Sequence, residues 1–303
     1  MRVPTTVRVR VLASTSNLGP AFDSLGLALD LPLRVRVRAE GRSWRIEYRG
    51  EGADLLRRGR SHLILQAMRR LASSTRSPLP AGLLVEVDND IPVARGLGSS
   101  GAAIAAGLLA GNALAGTALP PSRLLDLGAG IEGHPENVAA SLLGGLVLCA
   151  RDGKGWDARR ELPPAGWRAC AFVPDRLGRT DSARRKLPAR VPLATVVANL
   201  SATARLVRGL LRGSPEDLLA GTRDALHQDR RLASNGPLRR LLARLRGGGM
   251  PAFLSGSGPT LLALLRSGSP AERRFETLSL ASRISGRVML LDTTRTGGRT
   301  YTA

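Results

Sequence analysis

The chain has 303 residues, enough for two ordinary domains with a sizeable core, and a 43% hydrophobic content typical of a globular protein. The formal charge of +21 invites a nucleic-acid reading, but of 45 basic residues only Lys154 and Lys186 are lysines, the arginines are scattered over almost every segment, and 3% aromatics leaves little to stack on bases. No run reaches the roughly 18 apolar residues of a membrane span, the opening MRVPTTVRVRV lacks a signal-peptide core, and the two cysteines and three histidines fit neither a disulfide framework nor a zinc site.

These observations set expectations of a cytoplasmic protein with no nucleic-acid partner, no membrane contact and no transition metal. Cys149 and Cys170 sit in apolar runs as small buried hydrophobes. The positive charge keeps one role, that of drawing anionic substrates toward a cleft.

Strand-like alternation at 5–13 (TTVRVRVLA), 31–39 (LPLRVRVRA) and 44–49 (WRIEYR) predicts an antiparallel sheet at the start of the chain. A helix follows over 61–73 with Ser61 as N-cap, then a strand at 82–90. Small apolar residues on nearly every face of SGAAIAAGLLAGNAL predict a helix over 100–114 buried on several sides. Helices over 121–131 and from about 136, and a strand at 143–150, complete the first half. The polar, Gly- and Pro-rich stretch 151–166 reads as a linker. Beyond it come a strand (WRACAFVPD), helices near 191–212, 214–228 and 236–247, strands at 251–255 and 260–265, a helix near 269–283 and a strand near 286–292. This order predicts an α+β second domain with helices on one face of an antiparallel sheet.

Three segments stand out: LASTSNLGPAFDSLGLAL at 12–29, IPVARGLGSSGAA at 91–103 and LSGSGPTLLAL at 254–264. A Gly-rich turn that opens a helix offers unpaired N–H groups and the positive end of the helix dipole to an anion. Each segment alone is ordinary turn chemistry. As an ordered trio they resemble the three signature motifs of the galactokinase, homoserine kinase, mevalonate kinase and phosphomevalonate kinase (GHMP) superfamily. EGHPEN at 132–137, NLGPAFDSLGLAL and TDSARRKLP at 180–188 resemble the homoserine kinase family within it, and the likeness covers most of the chain. The chain departs from the family at Ala21, where Gly is usual, and at Gly101, where Ala is usual.

The resemblance implies a two-domain α+β fold, 1–155 with a ribosomal-protein-like sheet that binds ATP and 156–303 with a ferredoxin-like arrangement. It implies ATP and Mg²⁺, and transfer of phosphate to the hydroxyl of L-homoserine. Arg95, Gly96, Leu97, Gly98, Ser99, Ser100 and Gly101, with Ser255, Gly256, Ser257 and Gly258, are the implied nucleotide-binding residues, without a Walker-type lysine. Glu132 and the hydroxyls of Ser99 and Ser100 are candidates for Mg²⁺. Asn17, Asp23, His134, Arg184 and Arg231 are the implied acceptor ligands, the arginines matching a carboxylate with their planar forks. Asp23, Asn137 and Ser100 are the catalytic candidates. Asn137 stands where mevalonate kinase and galactokinase relatives carry an aspartate base, so the transfer is expected to proceed without one.

Structural readings stand beside these: Asp23 as a helix cap, His134 as a loop donor, any arginine as a surface residue. A kinase for L-threonine or an isoprenoid alcohol is the alternative within the fold, and a basic nucleic-acid-binding protein the alternative outside it. A homodimer is compatible with the sequence.

Overall fold

A computed structural model describes residues 4–57, 62–153, 155–178 and 184–302. β1 (Thr6–Ser16) and β2 (Leu25–Ala39) run antiparallel with Val7 opposite Val37, Val9 opposite Val35 and Val11 opposite Leu33. All six are buried, while Arg8, Arg34 and Arg36 between them are exposed, so the alternation in the sequence is one dry and one wet face. β3 (Trp44–Gly50) precedes α1 (Ala53–Arg57) and α2 (Leu63–Thr75), and pairs in parallel with β4 (Leu83–Asn89) at the far side of β2. The N-cap of α2 is His62, and the expected cap Ser61 lies outside the described residues.

α3 (Ser99–Leu114), α4 (Pro121–Glu132) and α5 (Glu136–Leu143) follow, then β5 (Leu146–Asp152) and β6 (Gly155–Glu161). α3 carries alanine, glycine and leucine on all sides because it is enclosed by α2, α4, α5 and the sheet. Gly107 shows the constraint: a Cβ there would lie 2.3 Å from the Ile64 carbonyl oxygen of α2.

In the second half β7 (Trp167–Pro174) is followed by α6 (Leu193–Arg212), α7 (Pro215–Gly221), α8 (Gln228–Leu232) and α9 (Gly236–Gly247). β8 (Ala252–Leu254), β9 (Leu261–Arg266), α10 (Pro270–Leu280) and β10 (Gly286–Asp292) complete a four-stranded antiparallel sheet of order β10-β7-β9-β8. That is the expected ferredoxin-like βαββαβ order. The run WRACAFVP lacks polar alternation because both faces of β7 are covered. Trp167, Ala169, Ala171 and Val173 join the core of the first half, and Cys170 and Phe172 join a second core with Leu238, Leu241, Leu245 and Phe275 from α9 and α10.

Three readings of the sequence are corrected. The stretch 151–166 is no linker, since β6 forms a hairpin with β5 and is polar because it is a half-exposed edge strand. The helix expected over 214–228 is two short ones, α7 and α8, because the Asp224 carboxylate accepts the N–H groups of Leu226, His227 and Gln228 and starts a new helix there. The chain also ends with β11 (Arg299–Thr302), which pairs with β1 in the first sheet. With β6 and β11 both in that sheet, a division at 155/156 does not follow the sheets. No helix among the described residues is long and apolar enough to cross a membrane.

Gly107→Ala should lower stability by about 1–3 kcal/mol despite the better helix propensity of alanine, because the opposing atom is backbone and has no room to turn aside. Urea unfolding of the two proteins measures this, and an unchanged or raised midpoint contradicts it.

Candidate active site

Three loops meet at one end of α3. The first leaves β1 at Ser16 and turns through Asn17 (φ 65°), Leu18 (φ 44°), Gly19 (φ 99°) and Asp23 (φ 55°). The second passes Ala94 (φ 56°), Gly96 (φ 81°) and Gly98 (φ 70°) into α3, and the third, 255–259, contains Gly256 and Gly258 at φ 54° and 82°. Hydroxyls and amides clasp them together. Ser255 Oγ donates to the Gly96 carbonyl (2.6 Å) and lies 2.8 Å from Thr15 Oγ1, while Ser14 Oγ donates to Asn137 Oδ1 (3.0 Å). Asn137 Nδ2 donates to Ser16 Oγ and Glu136 Oε1, both at 3.1 Å, so its amide is fully engaged in holding the loops.

Gly98 is the N-cap of α3, and the first-turn N–H groups of Ser99, Ser100 and Gly101 have no helical partner. Such an end of a buried helix favours an anion by its free N–H groups and its dipole. Ser100 Oγ donates to Glu132 Oε1 at 2.5 Å, which sets a carboxylate from the end of α4 against that turn. A Cβ on Gly101 would lie 2.7 Å from the Asn137 Cβ, so glycine here lets α5 approach.

Two cavities open on this point. One, of about 60 Å³, is lined by Asn17, Asp23, His134, Glu136, Arg184 and Arg231. The other, of about 480 Å³, is lined chiefly by Tyr48, Leu56, Leu63, Ile64, Val93 and Ile131. They share Ala94, Ser99, Ser100, Glu132, His134 and Gly178. A further groove of about 330 Å³ lies on the wet face of the first sheet among arginine stems, away from the loops.

The small cavity is densely charged. Burial, reinforced by the charge of Glu136, holds the Asp23 carboxyl above its usual range although Arg184 opposes this, and burial also raises Glu132. Burial pulls His134 down, but the carboxylates of Glu136, Glu132 and Asp23 outweigh it and hold the imidazole above its usual value. His134 Nδ1 stands 3.1 Å from Glu136 Oε1, without the alignment of a hydrogen bond, and Glu136 Oε2 is buried without a partner. Arg184 Nη2 donates to both oxygens of Asp23 at 2.9 Å.

The implied site residues thus converge, with revisions. Arg95 turns away from the helix end. Its guanidinium donates to the carbonyls of Val93, Pro174 and Asp175 at 2.7–2.9 Å and staples the second loop to the end of β7. Leu97 and Ser255 are fully buried and act as packing and clasp. Asn17 accepts the Asp23 N–H (3.0 Å) and donates to the Gly256 carbonyl (3.2 Å), so it orients Asp23 and the third loop. Gly258 lines neither cavity, whereas Gly256 and Ser257 line the smaller one. Glu136 also lines the small cavity, and the sequence does not single it out because it stands beside Asn137 in the same motif. Of the TDSARRKLP segment, 180–183 lie outside the described residues.

A seven-stranded sheet paired with a ferredoxin-like sheet, and a small polar pocket beside a Gly/Ser-rich helix start, define a small-molecule kinase of the GHMP type. Residues 62–145 match the model of the GHMP kinases N terminal domain and 206–281 that of GHMP kinases C terminal. The homoserine kinase of Streptomyces coelicolor is 44% identical over 85% of this chain and 84% of that protein, and that of Corynebacterium kroppenstedtii 40% identical over 88% of each. The crystal structure of homoserine kinase from Cytophaga hutchinsonii superposes with a TM-score of 0.85 at 25% identity over 99% of both chains. The chain belongs to the homoserine kinase family.

The raised value of His134 fixes a sign. Its ion pairs contribute stability that is complete below the unfolded value of about 6.5 and is lost as pH rises through the higher folded value. The stability difference between wild type and His134→Gln should therefore shrink as pH rises from about 6 to 9. Urea unfolding across that range tests it, and a constant difference contradicts it.

Proposed function

We propose that this chain transfers the γ-phosphoryl group of ATP to the hydroxyl of L-homoserine, giving O-phospho-L-homoserine for threonine synthesis in the cytoplasm. The observation that carries this reading is the junction of the two cavities at Ser99, Ser100 and Glu132. A nucleoside fits the larger, apolar cavity, its phosphates reach the start of α3, and an acceptor in the smaller one lies next to the terminal phosphate. The 60 Å³ size of that pocket and its mixture of carboxylates and guanidiniums match a small zwitterion better than an isoprenoid alcohol.

The phosphates meet the N–H groups of Gly98 to Gly101 and the positive end of α3. Glu132 and Ser100, with Ser99 beside them, offer hard oxygens suited to Mg²⁺, which takes few ligands from protein. Bound there, the ion would neutralise charge on the phosphate oxygens. The acceptor carboxylate pairs with Arg184 and Arg231, and Arg184 exchanges Asp23 for it. Asp23 is then free to take the amine and orient the hydroxyl, with Glu136 Oε2 as a second acceptor for the ammonium.

No base is needed. Both polar atoms of the Asn137 amide are engaged, and an amide takes no proton at neutral pH. In a loose, metaphosphate-like transfer the attacking hydroxyl keeps its proton until late, so the residues here act by alignment and charge neutralisation. The proton then leaves through the transferred phosphate.

Turnover with homoserine, threonine and mevalonate side by side tests the assignment. Homoserine should give the highest kcat/KM, and a preference for either of the others overturns it. Glu132→Gln should lower kcat by about 100-fold or more, in the range seen when one stabilising group is removed from a reacting centre, and leave KM for homoserine within a few-fold. A variant of near wild-type kcat removes Glu132 from the machinery.

A further inference from the structure

Arg231 is 8% exposed and lines the acceptor pocket. Its Nη1 donates to the Gly256 carbonyl (2.8 Å) and lies 3.2 Å from Nδ1 of His227, four residues earlier, while its Nε is buried with no partner. His227 is entirely buried at the N-cap of α8, and its Nε2 stands 2.7 Å from the Gly19 carbonyl in the first loop.

A carbonyl oxygen only accepts, so Nε2 must carry the proton. Nδ1 is then a lone pair, and this is the one tautomer able to receive Arg231. Burial, aided by the charge of Arg231 and only partly offset by Asp224, pushes His227 down to about 4, so the ring is neutral at physiological pH. Asp224 does not compete for the ring. It is 4.0 Å from Nε2, and its oxygens accept three backbone N–H groups and the Asn199 amide. Phe22 lies 5.5 Å from the imidazole and under the guanidiniums of Arg231 (5.3 Å) and Arg184 (5.2 Å).

We propose that His227 is a positioning residue for acceptor specificity: by fixing Nη1 of Arg231 between itself and Gly256, it leaves the Nε edge of the guanidinium for the acceptor's carboxylate. This rests on the reading of Arg231 as a carboxylate ligand for an amino-acid acceptor. A guanidinium forms a two-point fork only when its plane is set, and an arginine held on one edge has lost that freedom before the substrate arrives. The same imidazole ties the first loop, through Gly19, to the helix that bears Arg231.

His227→Leu removes both hydrogen bonds, whereas His227→Gln keeps an amide N–H for Gly19 and an amide oxygen for Arg231. The leucine variant should raise KM for homoserine about 10- to 100-fold, the effect of a lost hydrogen bond to a charged group, with kcat and KM for ATP within about threefold of wild type. The glutamine variant should recover most of the loss. Toward 3-aminopropan-1-ol, which lacks the carboxylate, all three proteins should show the same kcat/KM. An unchanged homoserine KM in the leucine variant, or equal losses toward both acceptors, overturns the proposal. In the wild-type protein, ring ¹⁵N shifts of the three histidines report the tautomer directly. Nε2–H at His227 is expected at pH 7, and Nδ1–H or the imidazolium overturns the proposal whatever the variants do. Failure of the wild type to phosphorylate homoserine would instead reject the parent reading, and the tautomer measurement would still decide the role of His227.

Discussion

Ser14 and Thr15 at the end of β1, Asn137 in α5 and Ser255 in the third loop come from segments more than 100 residues apart, and their side chains bond in pairs and to the Gly96 carbonyl in a region with almost no access to water. In such surroundings a polar group left unpaired costs more than a made bond gains, so the clasp is specified as a whole. Its effect on the start of α3 is indirect. The side chains satisfy one another and the carbonyls, and the N–H groups at the start of α3 are left facing the cavity. The approach is close enough to dictate the glycines. A Cβ on Gly96 would lie 2.3 Å from the Ser255 carbonyl oxygen, and one on Gly98 2.1 Å from Ser14 Oγ.

The small charged cavity follows from the same closeness. Asp23, Glu132 and Glu136 face His134, Arg184 and Arg231 within one small cavity. Opposite charges at this density compensate one another's desolvation, which isolated buried ions could not do. In the proposed complex a zwitterion would enter by exchanging partners without leaving a charge stranded, Arg184 giving up Asp23 for a carboxylate. An acceptor that brings a carboxylate without an ammonium would leave Asp23 and Glu136 uncompensated in that cavity, and this is what separates an amino-acid acceptor from mevalonate in the proposed reading.

Much of this was legible in the sequence, because glycine and serine runs at helix and strand ends have local causes. Gly96, Gly98, Ser99, Ser100, Asp23, Glu132 and His134, all in motif positions, line one cavity. What was not legible depends on partners distant along the chain. Arg95 belongs to a Gly-rich loop by position but to the end of β7 by its bonds, some 80 residues on. Ser255 belongs to a phosphate-loop wording but closes the clasp. β6 reads as linker because an edge strand that is half wet needs few apolar residues, and β11, four exposed residues, has no periodicity to show. His227 carries no spacing signal, since its two partners are a carbonyl in the first loop and an arginine one helical turn away.

The arginine excess also has a structure that composition conceals. On the wet face of the first sheet, arginines are matched by carboxylates: Arg10 with Asp30 at 2.9 Å, Arg34 with Asp88 and Asp90 at 3.3 and 3.0 Å, and Arg38 with Glu40 and Glu86 at 3.6 and 3.5 Å. Exposed pairs of this kind contribute little stability, and their main effect is to cancel charge locally. The excess lies elsewhere. Residues 176–246 carry 16 basic and 5 acidic side chains, so this stretch supplies +11 of the +21. It is the stretch that brings Arg184 and Arg231 to the small charged cavity. A field of that sign raises the encounter rate of a polyanion such as a nucleoside triphosphate. The self-repulsion it brings is spread over helices α6 to α9, whose exposed arginines point into water.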